Sequence, residues 1–172
     1  DDDAAIANSV IGQIDVSKLP KAAYSLNNVQ LFVPMTNEEI KKYGNDAGTV
    51  IKNNYLLLGT PEYADNDLKK VARLHRQIGQ ALIQIKVPAA LAQSHLNLAN
   101  AYVMFGDSLD VLATQEKVDP LRALLSIRTA EESSKNLTKA AGEINSYFEQ
   151  NDILYSDNEA GLIWPRLTVA EQ

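Results

Sequence analysis

Four stretches of this chain repeat apolar or small residues three and four positions apart. A segment patterned that way is stable in water as a helix that buries its stripe against a neighbour. The first stripe is Ile40, Tyr43, Ala47, Val50, Asn54 and Leu57, and the second is Leu68, Val71, His75, Ile78, Leu82 and Ile85. The third runs through Leu91, His95, Leu98, Tyr102, Phe105, Leu109 and Leu112, and the fourth through Ala123, Ile127, Ala130, Ser134, Leu137, Ala141, Ile144 and Phe148.

Local signals set the ends. Thr36 or Asn37 can cap free amides ahead of Glu38 and Glu39, and Gly59-Thr60-Pro61 stops the first helix. Val87-Pro88 separates the second from the third, because proline clashes with a continuing helix and suits the first turn of a new one. Asp119-Pro120 repeats the start signal. The spacing therefore predicts helices over 37–58, 65–86, 88–116 and 120–150. Short connections favour antiparallel neighbours, so the expected fold is all-α: an antiparallel up-down four-helix bundle over 36–150. An extended N-terminal arm over 1–35, with one or two short strands or turns, and a C-terminal extension over 151–172 flank it.

Length agrees with this, since 172 residues bury one good core but do not divide comfortably into two domains. Sixteen basic against 22 acidic residues leave a formal charge of −6, which opposes binding to phosphate backbones and disfavours nucleic acid as a partner. Cysteine is absent, which removes disulfides, thiolate metal sites and thiol nucleophiles together. The apolar runs, such as Leu56-Leu57-Leu58, fall far short of the ~20 residues that span a bilayer.

No hydrolase elbow, phosphate loop or zinc-binding His-Glu-x-x-His occurs, so the expectation is a protein that is not an enzyme and carries no cofactor. The candidate metal ligands are His75 and His95, both on core stripes. If the chain folds back at Val87, His75 lies opposite Ala99 or Asn100, and His95 opposite Gly79. The histidines are then offset by about 6 Å along the axis, awkward for a shared ion. No glutamate stands three residues before either, as a carboxylate-bridged metal bundle would need. Hydrogen-bonded core histidines are the preferred reading. Gly44, Gly48, Gly106 and Gly142 fall inside helices, where close packing is the expected reason to tolerate them.

Tyr43-Gly44-Asn45, Lys86-Val87-Pro88, Leu91 to Leu96, Asp119-Pro120-Leu121 and Asn158-Glu159-Ala160-Gly161 together form a pattern over about 120 residues. It resembles a group of uncharacterised helical proteins of small-genome, uncultivated bacteria, with their Val-Pro turn, Leu-x-x-x-His-Leu helix, Asp-Pro-Leu start and late Asn-Glu-x-Gly. That group looks membrane-anchored or exported, its hydrophobic segment preceding the helical region. The resemblance implies an extracytoplasmic, secreted or cell-surface location and supplies no activity. A start at Asp1-Asp2-Asp3 rather than Met fits a processed chain, one with an upstream anchor, or equally a segment cut from a longer protein.

These readings converge on a non-enzymatic interaction or structural protein whose partner is itself, as homo-oligomer or filament, or another surface protein. The arms offer the apolar anchors for assembly: Val10, Ile11, Ile14, Val16, Leu31 and Phe32 at one end, Leu162, Ile163 and Trp164 at the other. The alternative is a small-molecule or metal carrier using a polar bundle interior around His75, His95, Asn54 and Asn100.

Overall fold

The computed structural model describes residues 20–60, 67–115 and 119–168. Four long helices form the body: α1 over Asn37–Leu58, α2 over Leu68–Leu82, α3 over Ala92–Gln115 and α4 over Pro120–Gln150. Strand β1, Gln30–Phe32, and strand β2, Lys86–Pro88, pair in parallel with Leu31 beside Val87. A short helix α5, Trp164–Leu167, lies near the end of the described chain.

Capping explains the starts. At α1 the Thr36 hydroxyl accepts from the Glu39 amide at 3.3 Å, while the Glu39 carboxylate takes the amides of Met35 and Thr36 at 2.7 and 3.2 Å. The carboxylate of Asp67 accepts from Lys69 N at the head of α2. Asp119 accepts from Arg122 N at the head of α4, with Pro120 in the first turn.

Helices α2 and α3 pack against one another along their length, as do α3 and α4, each pair antiparallel. Helix α1 leans chiefly on the segment after α4 and meets α2 and α3 through aromatic rings. The core gathers Tyr43, Ile51, Ile78, Leu82, Leu98, Tyr102, Ile144, Phe148 and Trp164, none more than 2% exposed. Each such side chain contributes roughly 1.5–3 kcal/mol on leaving water.

Three expectations are corrected. The second helix stops at Leu82, not 86, and the third begins at Ala92, not 88. Amides of Gln84 and Ile85 turn back onto Ala81 and Leu82, Lys86–Pro88 extends to meet β1, and a 3₁₀ turn at Ala89–Leu91 leads into α3. Proline disfavours helix in the residue before it, and β1 supplies the ladder that residues 86–88 then join. The expected helix start at 65 and end at 116 lie outside the described residues, as does the arm up to residue 19.

The seam is also shorter than its pattern. Leu82 and Leu98 are fully buried, and Val50 and Leu137 are half-buried, but Leu57, Leu68 and Ile127 stand 40–44% exposed at the end away from the strands. Finally, the nine-residue turn displaces the register of α2 on α3. His95 lies opposite Leu82 rather than Gly79, Gly79 meets Ala99 and Val103, and His75 packs by Tyr102 and Phe105 rather than Ala99 or Asn100.

Candidate functional site

The densest convergence of polar and aromatic groups lies where α1 receives the segment that follows α4. Asn45 of α1 faces both ways: its Nδ2 donates to Glu159 Oε1 at 3.0 Å and its Oδ1 accepts from the Gly161 amide at 2.8 Å. Lys41 reaches the other carboxylate oxygen of Glu159 at 2.8 Å, and the Ser156 amide donates there at the same distance. Trp164 is wholly buried and its indole N–H donates to the Gly44 carbonyl at 3.0 Å. Two motifs far apart in the chain, Tyr43-Gly44-Asn45 and Asn158-Glu159-Ala160-Gly161, therefore form one clasp.

Small residues make the approach possible. A Cβ on Gly48 would stand 2.5 Å from the Ala160 carbonyl oxygen. One on Gly44 would run into the Tyr155 hydroxyl, and one on Gly161 into the Tyr155 ring. Gly106 is likewise required, by Ala72 across the α2–α3 contact, whereas Gly142 meets only Thr168 at 3.9 Å and close packing does not account for it. Phe148 binds the layers together, its ring 5.5 Å from Tyr155, 5.7 Å from Trp164 and 6.1 Å from Tyr43.

The same hub holds His95. A backbone carbonyl can only accept, so Nε2–H donates to Leu82 O at 2.9 Å, and Nδ1 accepts from the Tyr43 hydroxyl at 2.9 Å. The ring thus caps the last carbonyl of α2 from α3 and ties both helices to α1. Burial disfavours the imidazolium and pulls His95 down to about 4, against the opposing pull of the Leu82 carbonyl. Burial pushes the Tyr43 hydroxyl up, with Tyr155 adding to it. Glu159 is held down to about 2, first by Lys41 and then by the Ser156 amide and Asn45.

His75 sits apart. Its Nδ1–H donates to Val71 O at 2.9 Å and its ring packs 4.8 Å from Phe105, with Tyr102 and Tyr55 at 6.0 and 6.3 Å. Burial lowers its pKa too. Neither ring nitrogen of His95 has a lone pair to offer a metal without breaking a helix-to-helix bond. Among the described residues no three His, Asp or Glu side chains gather as a metal site.

The other carrier candidates point elsewhere. Asn54 donates to Val50 O in its own helix. Asn100 clamps the N-terminal arm, accepting from the amides of Ala23 and Tyr24 at 3.0 and 2.9 Å and donating to Tyr24 O at 3.0 Å. Their hydrogen bonds run to helix backbone and to the N-terminal arm rather than to either histidine.

Of the assembly candidates, Val10, Ile11, Ile14 and Val16 lie outside the described residues. Leu31 is half exposed and Phe32 half-buried on β1. Leu162 and Ile163 are half-buried beside an open groove of about 440 Å³ that also takes in Lys52, Leu56 and Arg166. Trp164 belongs to the protein's own core and is not a surface anchor. The hub itself combines a neutral histidine, protonated tyrosines and a carboxylate already ion-paired, an arrangement suited to fastening helices. No protein-family model, curated protein or solved structure matches this chain.

Proposed function

We propose that this chain is a non-enzymatic interaction or structural protein of the cell exterior that associates with copies of itself. The observation that carries the reading is where its large apolar side chains remain in water. Leu31, Val33, Met35 and Leu154 are 52–90% exposed at the end of the bundle that holds the strands, where Asn37 bonds Asn151 O. Leu124 and Ile127 are 61% and 44% exposed towards the opposite end. Apolar area of this kind on both ends of a rigid body supports end-wise self-association better than binding of a small ligand.

The clasp supports the same reading from the other side. Asn45, Lys41, Glu159, Ser156 and the Trp164 indole satisfy one another or nearby backbone, which holds shape, while the Tyr155 hydroxyl is buried without a hydrogen-bond partner among the described residues. Among the described residues no helix is long and apolar enough to cross a membrane. The extracytoplasmic placement rests on the resemblance described above.

Sedimentation of the full chain from micromolar to millimolar concentration tests the proposal. Concentration-dependent oligomers or filaments are expected, and Val33→Asp with Met35→Asp should weaken them. A particle of one chain's mass throughout the range refutes it.

A further inference from the structure

We infer that the outer edge of β1 pairs antiparallel with the β1 edge of a second copy, joining the two small sheets into one of four strands. The inference rests on the self-association reading and names its surface at the strand end. β1 and β2 run parallel with Leu31 beside Val87. In such a ladder Leu31 either bonds both residues that flank Val87, or leaves Val87 to bond Gln30 and Phe32. The first arrangement needs an N–H on Pro88, which has none. The second therefore holds, and the N–H and C=O of Leu31 point away from β2. Because N–H and C=O oppose one another across a trans peptide, the Val29 carbonyl and the Val33 N–H share that outer side. Among the described residues none of these four groups has a hydrogen-bond partner.

The four groups are complementary to their own copy. About a two-fold axis through Leu31, the Leu31 N–H reaches the partner's Leu31 carbonyl and the Val33 N–H reaches the partner's Val29 carbonyl, each twice, so that all four are matched. Side chains follow the backbone. Leu31 and Val33, both more than half exposed in the single chain, come to lie beside the partner's Leu31 and the partner's Val29. Exposed edges are commonly guarded by charge, yet no charged residue stands between Lys21 and Glu38, and Pro34 comes after the last outward donor. This edge carries no charge to repel its copy.

Amide exchange of the full chain tests the pairing. The Leu31 and Val33 amides should exchange about tenfold or more slowly at millimolar than at micromolar concentration, since pairing alone covers them. Leu31→Pro, which deletes an outward donor and no donor of the β1–β2 ladder, should weaken self-association by about tenfold or more, and Leu31→Ala by less. Because the protein has no cysteine, single thiols read the register. The two Leu31 positions stand about 5.5 Å apart between Cα atoms, within disulfide reach, whereas the two Gln30 positions stand about 8 Å apart and beyond it. Under air oxidation Leu31→Cys should form a covalent dimer and Gln30→Cys should not. Equal oxidation of the two, or fast Leu31 exchange at every concentration in a chain that still oligomerises, overturns this pairing and leaves self-association standing. Slow exchange that dilution does not change means that the same chain covers the edge, and overturns the pairing too. A wild-type chain that stays monomeric overturns both readings.

Discussion

The Tyr43 hydroxyl and His95 Nδ1 meet at 2.9 Å, joining α1 to α3 inside a core where His95 is wholly screened from water. The other nitrogen of the ring is committed to Leu82 O, so this bond requires the neutral tautomer with its proton on Nε2.

Acid should therefore loosen the protein before its carboxylates titrate fully. An imidazole with folded pKa about 4 and an ordinary value of 6.5 binds its proton more readily in the unfolded chain, so stability rises with pH between these values and falls on acidification through them. The loss at His95 is of order 3 kcal/mol across the window. Glu159 works in a lower range, since its depressed pKa makes its contribution disappear as pH falls from about 4.5 towards 2. Urea denaturation at pH 7 and pH 5 should show the wild-type chain losing more stability than His95→Gln.

Tyr43→Phe removes the donor and leaves a buried acceptor alone. The expected cost is about 1–2 kcal/mol, read from the denaturation midpoint at pH 7 with unchanged slope. A neutral result would mean that His95 finds another donor.

The helical glycines divide by what surrounds them. Gly48→Ala should destabilise by about 1–3 kcal/mol because the added methyl meets backbone, the Ala160 carbonyl, which cannot rotate away. Gly142→Ala should instead stabilise by up to ~1 kcal/mol, since its Cβ meets nothing closer than 3.9 Å and alanine favours helix. Thermal melts of the two variants should move in opposite directions.

Trp164→Ala should cost about 3–5 kcal/mol through the cavity and the lost indole bond to Gly44 O. Trp164→Phe should fall between it and the wild type in thermal denaturation.

Much of this architecture was legible in the chain because its causes are local. The Thr36 and Asp119 caps and the stop at Gly59 lie within a few residues of what they control. The register of α2 on α3 was not legible, because residues 83–91 make a turn, a three-residue strand and a 3₁₀ turn, and that strand, Lys86–Pro88, pairs with β1, 56 positions earlier in sequence. Neither was the role of Trp164. A tryptophan in a Gly-Leu-Ile-Trp-Pro tail has the composition of a sticky surface until the Gly44 carbonyl, 120 residues away, is seen beneath it. The pairing of Tyr43-Gly44-Asn45 with Asn158-Glu159-Ala160-Gly161 left a trace, since both motifs are set with residues of little side-chain freedom or strong local hydrogen bonding, but no spacing rule joins them.

Trp164 is also the sole tryptophan of the chain. The one intrinsic fluorophore with strong emission thus sits at a contact that closes a loop of 120 positions, where Coulomb and packing terms are gained only after a large chain entropy has been lost. Its emission should follow closure of the clasp, while the far-ultraviolet signal follows the α2–α3–α4 helices. A stopped-flow record that resolves the two would time the last seam of the molecule without any added label.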